Sequence, residues 1–487
     1  MNMPDKKNPI KVLFLTAESS PYIKVGGLGD VSGSLPPLLA KMYPDQIDIR
    51  MVMPYHASLI LDPKAAKVVC EFQVSFPALK EKITAWQDLS ASFPVYLLQS
   101  EIISKTAPYT EDWVFDLQKY TLFSLAVHSF MDTLQWIPDI YHGNDWHTSL
   151  AIYQTGTRAF KQNTNKPFKT MLSIHNLPYM GLANRKVLAQ FGIRTSQNQA
   201  LPDWARDIPL PMGMSRTDLI STVSNGYAQE IMTPEFGCGL DGFLRAKSDK
   251  VRGILNGIDP QEWDPTSDPH IVAHFNQDSL QDRLTNKKAL FDQFFPESKL
   301  SIPLLIWVGR LQGQKGADVF LDSLRNLLDL DWRCIILGTG DPALEEAVTS
   351  LSAQCPEKIH GILKFDNAFS HQLYAGGDMI IMPSRYEPCG LSQMFAMRYG
   401  CLPIATATGG LKDTISDEAA TPISDGFLFS QPTVTTCTES IQKALKIYSN
   451  NPQKWQQMQL NAMEKDFSWE RSAEQYKEVY INLLENR

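Results

Sequence analysis

The sequence lacks any apolar run approaching the ~20 residues of a membrane span, which argues against a membrane-embedded protein. It also lacks a Cys-x-x-Cys pair. The seven cysteines, Cys70, Cys238, Cys334, Cys355, Cys389, Cys401 and Cys437, are scattered. That spacing indicates neither a zinc knuckle nor a disulfide framework, and a reducing cytoplasm is the expected compartment. An excess of positive charge is missing too: 45 basic against 53 acidic side chains leave a net charge of −8. A broad nucleic-acid-binding surface is therefore not expected. No fixed-period repeat or low-complexity tract stands out. The N-terminal stretch "MNMPDKKNPIKVLFLTAESS" has a short basic lead, and its apolar run is shorter than a signal-peptide core, so it reads as a first β-strand.

What is present is a soluble globular composition, 43% hydrophobic and 20% charged over 487 residues. At ~100–200 residues per domain, that length allows two to four domains. Strand and helix patterns alternate: "IKVLFLT" (10–16), then a glycine turn and a helical "SGSLPPLLAKMY", then the strand "IDIRMVMP" (47–54). Gly, Asn, Asp and Pro crowd together over 253–270, which marks a linker. Beyond it, short strands such as "LLIWVGR", "WRCIILGTGD", "DMIIMPS" and "LPIATAT" alternate with helices. That alternation predicts βαβ units and parallel sheets. The expected fold class is α/β, with two Rossmann-like domains facing across a cleft and ligands outside the carboxyl ends of the strands.

Several strand ends carry chemistry. In "VGRLQGQKG" (308–316), Arg310 and Lys315 occupy a glycine-rich loop opening a helix. Amide donors, the helix dipole and two cations make an anion site there. Each cation supplies about 4 kcal/mol of gross Coulomb attraction at ~4 Å and an effective dielectric near 20. A solvated turn with two exposed cations is the plainer alternative, and no Walker loop can be laid on the stretch. In "PSRYEPCGLSQ" (383–393), Glu387 could face sugar hydroxyls while Gly390 and Leu391 offer amides to phosphate; alternatively Glu387 is a cap and Cys389 a packed thiol. "YHGNDWHTSL" (141–150) clusters His142, Asp145, Trp146 and His147. A loop presenting an acid and an aromatic ring to a sugar is favoured over a metal site, since the spacing is not that of a helical ligand pair. His175 and Asn176 end another strand. "DLD" (329–331) matches an Asp-x-Asp metal motif but reads as a solvated helix terminus.

Together, "KVGGLGDV", "NDWH", "IHN", "GLDGFLRAK", "GILNGID", "GRLQGQKG", "AFSH", "PSRYEPCGLSQ" and "TGGLKDTI" resemble the bacterial glycogen synthases and plant starch synthases, in the family's order, from about residue 10 to residue 480. The resemblance implies a GT-B arrangement: residues 1–255 as an N-terminal domain, 256–466 as a C-terminal donor domain, and a helix over 467–487 crossing back. It implies transfer of glucose from ADP-glucose to the non-reducing end of an α-1,4-glucan, with retention of configuration and without a metal or other cofactor. UDP-glucose as preferred donor, and a catalytically inactive glucan-binding protein, are the alternatives. A glucan phosphorylase is disfavoured, because no motif supplies a Schiff-base lysine.

By the same resemblance, Arg310 and Lys315 hold the donor diphosphate and Glu387 orients the glucosyl ring. Cys389, Gly390 and Leu391 line the donor pocket, and Phe365 stacks near the base. Lys364 beside it replaces a small residue and bears on the choice of base. His175 and Asp145 contact the transferred sugar, with Asn176, Trp146 and Asn256 nearby. Lys24, Gly26 and Gly27 close over the donor as a mobile lid, and Glu18 and Tyr96 lie toward the acceptor.

Overall fold

In the computed structural model, residues 8–485 are described apart from 60, 63, 158–166 and 421. The basic lead before the first strand lies outside the described residues. The chain divides into two compact units, Met1–Asn256 together with Trp469–Arg487, and Gly257–Ser468.

The first unit is built on a nine-stranded sheet in the order β3-β4-β5-β2-β1-β6-β7-β8-β9. Its strands are β1 (Ile10–Leu15), β2 (Ile47–Pro54), β3 (Ala66–Ser75), β4 (Lys80–Asp88), β5 (Val95–Gln99), β6 (Ile140–Asn144), β7 (Lys169–Ile174), β8 (Leu219–Thr222) and β9 (Val251–Gly253). From β5 to β9 every pairing is parallel, whereas β3 and β4 form an antiparallel hairpin at one edge. β1 is a continuous apolar run because it is covered on both faces; Val12, Leu13, Phe14 and Leu15 are all fully buried. The chain starts in the middle of the parallel set, fills one side with β2 and β5, then crosses to β6. The switch between β1 and β6 leaves a crevice at their carboxyl ends.

The helix Trp469–Glu485 closes this unit. Trp469, Ala473, Tyr476 and Tyr480 join Val12, Phe14, Ile47 and Ile49 in one hydrophobic cluster. Tyr480 Oη lies 2.8 Å from His142 Nδ1, and Ser173 Oγ lies 2.7 Å from His142 Nε2. Both ring nitrogens of His142 are thus committed to the core, and the histidine takes no part in a loop cluster.

The second unit carries a parallel sheet in the order β12-β11-β10-β13-β14-β15. Its strands are β10 (Leu304–Val308), β11 (Arg333–Leu337), β12 (Ile359–Ile362), β13 (Met379–Met382), β14 (Leu402–Thr406) and β15 (Phe427–Phe429). This is the doubly wound order of dinucleotide-binding folds, with its switch point between β10 and β13. Among the described residues, no helix is long and apolar enough to cross a membrane. Asp329 and Asp331 sit in the exposed turn after the helix Ala317–Arg325, where Asp331 pairs with Arg333 at 3.0 Å.

One local expectation changes. The helix expected from Ser32 begins five residues earlier, as Gly27–Met42 with Gly26 as its N-cap. Gly27 and Gly29 are therefore helical, and the free loop is confined to the residues before Gly26. The reason lies in Glu18, whose carboxylate accepts hydrogen bonds from the amides of Val25 and Gly26 and fixes the chain where the helix starts.

Candidate active site

In the second unit, the loops following β10 and β13 meet at the switch point. After β10 come Gly309 and Arg310, then a short turn Gly313–Lys315 and Gly316 in the left-handed conformation (φ +72°). Only glycine fits at 316: a Cβ there would fall 2.0 Å from the carbonyl oxygen of Pro383 in the opposing loop. The close approach brings Lys315 Nζ to 2.8 and 2.6 Å from the two carboxylate oxygens of Glu387. Ser384 Oγ adds a bond to the same carboxylate at 3.1 Å. Glu387 is buried and its own carbonyl accepts from Gly410. Arg385 ties the two loops further, donating to Asp318 at 2.8 and 2.7 Å and to the carbonyl of Gly313.

Arg310 is exposed, and its guanidinium has no partner among the described residues. Cys389 is buried, and Gly390 holds φ +71° ahead of the helix Ser392–Arg398, with Leu391 at the cap. Gln393 secures this corner by donating to the carbonyls of Cys389 and Gly390 and to Thr414 Oγ1. Phe365 lies after β12 and is 88% exposed, an open ring rather than a packed one. Its neighbour Lys364 is drawn to Asp366 at 2.7 Å.

In the first unit, the carboxyl ends of β1, β6 and β7 place Glu18, Asp145 and His175. Asp145 holds φ +54°, a conformation costing a non-glycine residue about 1–3 kcal/mol, and opens the helix Asp145–Thr155. Its carboxylate accepts from the backbone amide of His175 at 2.8 Å and from that of Asn176. Burial pushes its carboxyl up to about 7, those amides oppose the shift, and the Glu18 charge adds to it. Burial pushes His175 down to about 4, so its ring is neutral near pH 7. Its Nε2 lies 2.9 Å from Asn144 Oδ1, while the Asn144 amide nitrogen donates to Leu15 O at 2.8 Å. That assigns the His175 proton to Nε2 and leaves Nδ1 as an acceptor. Asn176 Oδ1 and Asn256 Oδ1 are buried without a hydrogen-bond partner among the described residues.

Other expected residues fall elsewhere. Trp146 is buried, its ring 5.2 Å from Tyr120 and 4.3 Å from His147, so it offers no face to a sugar. It turns inward because the helix carrying it is buried on nearly every side. Tyr96 is also buried, edge-on to Phe130 with its hydroxyl toward Arg50, apart from Glu18 and Asp145. Glu18 is 2% exposed, with its carboxylate engaged by its own chain. Lys24 is exposed and pairs with Asp30 at 2.6 Å. His147 is packed among aromatic rings. Among the described residues, no group of three or more His, Cys, Asp or Glu side chains is arranged to hold a metal ion. Sequence reasoning missed Tyr109, whose hydroxyl donates to Glu18 Oε1 at 3.0 Å, and Ser384, which stands inside a quoted motif.

With this geometry in view, residues 11–246 match the starch synthase catalytic domain family, and residues 291–462 match glycosyl transferases group 1. A glycogen synthase of Cellvibrio japonicus is 35% identical, over 97% of this chain and 99% of its own length. One of Kosmotoga olearia is 37% identical, over 98% of each chain. The chain belongs to the glycogen synthase family. It is a glycosyltransferase, and its two sheets are those of the GT-B fold. The catalytic domain of starch synthase IV from Arabidopsis thaliana, solved with ADP and acarbose, superposes with a TM-score of 0.86 at 29% identity, covering 98% of this chain and 100% of that one. Sucrose-phosphate synthase of Thermosynechococcus elongatus, at 17% identity and a TM-score of 0.60 over 98% of this chain and 100% of that one, shares the fold.

Proposed function

We propose that this family member transfers glucose from ADP-glucose to the non-reducing end of an α-1,4-glucan, with retention of configuration and without a metal ion. The observation that carries the reading is the ion pair of Lys315 and Glu387 at the β10–β13 switch point, in a loop that also carries the exposed Arg310. Cations at a strand end can take the charge that grows on a leaving nucleoside diphosphate, the task a metal ion performs elsewhere. In this account Arg310 and Lys315 hold the diphosphate, with Gly390 and Leu391 supplying amides and Cys389 lining the pocket. Glu387 orients the glucosyl ring and balances positive charge at the anomeric carbon. From the first unit, Asp145 and the Nδ1 of neutral His175 accept from hydroxyls of the transferred sugar, and Lys24 adds a cation to the donor.

The bond between the anomeric carbon and the diphosphate oxygen breaks with its electron pair leaving on phosphate. The acceptor hydroxyl attacks from the same face, and its proton passes to that phosphate. UDP-glucose is the alternative donor: Phe365, almost wholly exposed, can stack on either base. The test offers glycogen with each donor and measures nucleotide release. Release from ADP-glucose is expected; release from neither, with folded protein, overturns the proposal.

A further inference from the structure

The geometry points to Glu18 as the anchor of the turn that carries Lys24, with Tyr109 as the positioning residue that holds Glu18 in place, instead of Glu18 facing the glucan. The inference rests on the proposed transfer reaction for its kinetic consequence, but not for its structural one.

Glu18 follows β1 and is 2% exposed. Its Oε2 accepts the amides of Val25 and Gly26, and its Oε1 accepts the Tyr109 hydroxyl at 3.0 Å. A carboxylate receiving three donors from its own chain is occupied as an anchor. The turn it grips stands in solvent: Val25 is 61% exposed, and the Lys24 side chain is 52% exposed. Ser19 and Ile23 exchange two backbone hydrogen bonds at its base and Lys24 pairs with Asp30, while the two amide bonds to Glu18 fix the Val25–Gly26 end where the helix starts.

Tyr109 is itself held from behind. Lys119 Nζ, buried, donates to Ala107 O at 2.6 Å and to Thr106 Oγ1 at 3.2 Å. Tyr120 Oη donates to Pro108 O at 2.6 Å. These bonds fix the loop before the helix Trp113–Leu134, and the Tyr109 ring rests 5.1 Å from His147. Burial pushes the Tyr109 hydroxyl well above its ordinary value, so it remains a donor. Support runs from the helix core through Lys119, Tyr120 and Tyr109 to Glu18, and from there to the backbone beside Lys24.

The test uses the full chain and two readouts. Amide hydrogen exchange over residues 22–27, without ligand, reads the anchor directly. Val25 and Gly26 are expected to be protected in the wild type and to exchange about tenfold faster in Tyr109→Phe, the loss of one hydrogen bond to a charged group. Glu18→Ala exchanges faster still, and Glu18→Gln, which keeps one acceptor oxygen, falls between. Steady-state kinetics with donor and glucan varied separately should show the donor KM rising in Tyr109→Phe with the glucan KM unchanged. Wild-type exchange rates in all three variants, or a glucan KM that rises alone, would overturn the inference. A wild-type chain that shows the exchange pattern but no transfer supports the anchor and defeats the reading of the reaction.

Discussion

Lys315 and Glu387, 72 residues apart in sequence, form a two-point ion pair of 2.8 and 2.6 Å where the loops after β10 and β13 meet. The pair is asymmetric: the lysine side chain is 24% exposed and the glutamate 6%. The lysine can therefore turn toward a ligand, while the carboxylate stays fixed by Ser384.

In the proposed reaction this pair is catalytic rather than merely cohesive. Lys315→Ala and Glu387→Ala should each lower kcat by about a hundredfold or more, while circular dichroism and melting show a folded protein. Wild-type rates in both variants would place the chemistry elsewhere.

The loops also depend on Arg385, held to Asp318 by two bonds of 2.8 and 2.7 Å. Because this pair is exposed, its loss should cost only about 0–1 kcal/mol of stability. Arg385→Ala should nevertheless lower kcat several-fold by loosening the register of Lys315 against Glu387. The exchange Arg385→Asp with Asp318→Arg should recover part of that loss. Steady-state rates beside melting temperatures decide the matter.

Asp145 gives a pH signature. Burial raises its carboxyl from an ordinary 3.8 to about 7. The unfolded chain then binds fewer protons than the native one between these values, so stability from Asp145 is complete below pH ~4 and lost as pH rises through ~7. Asp145→Asn should therefore be more stable, relative to wild type, at about pH 8 than at about pH 5. His175, pushed down to about 4, acts in the opposite sense below 6.5 and cancels in the comparison of variant with wild type. Urea midpoints at both pH values check this; equal differences would contradict it.

The last helix is held by buried bonds as well as by packing: Tyr480 meets His142, and Ser472 Oγ donates to Leu255 O at 2.6 Å. Tyr480→Phe removes the partner of His142 Nδ1 at 2.8 Å and leaves a buried polar atom unpaired. The expected cost is about 1–3 kcal/mol in denaturant unfolding. No measurable change would mean that the bond between Tyr480 and His142 adds nothing to holding the helix.

Much of the fold was legible because parallel strands buried on both faces are written as unbroken apolar runs: "IKVLFL" and "LLIWV" identify themselves. The hairpin of β3 and β4 was not, since it mixes exposed charges such as Glu71 and Lys82, a cross-strand pair at 2.8 Å, with buried Val74 and Ile83. The start of the first helix was misplaced because a run of glycines signals a turn. What makes Gly27 helical is the distant carboxylate of Glu18. Strand-end motifs named Asp145, His175, Lys315 and Glu387. The inward turn of Trp146 was hidden, because its helix is buried almost all round and shows no polar face. Tyr109 lies in no motif, and its bond to Glu18 spans 91 residues.

The most direct test of the central claim is nucleotide release in the presence of glycogen and a chelator, with ADP-glucose and UDP-glucose offered in parallel. Glycogen-dependent release of ADP that the chelator leaves unchanged is expected, with the new linkage α-1,4. Release that stops with the chelator and returns with a divalent ion would contradict it.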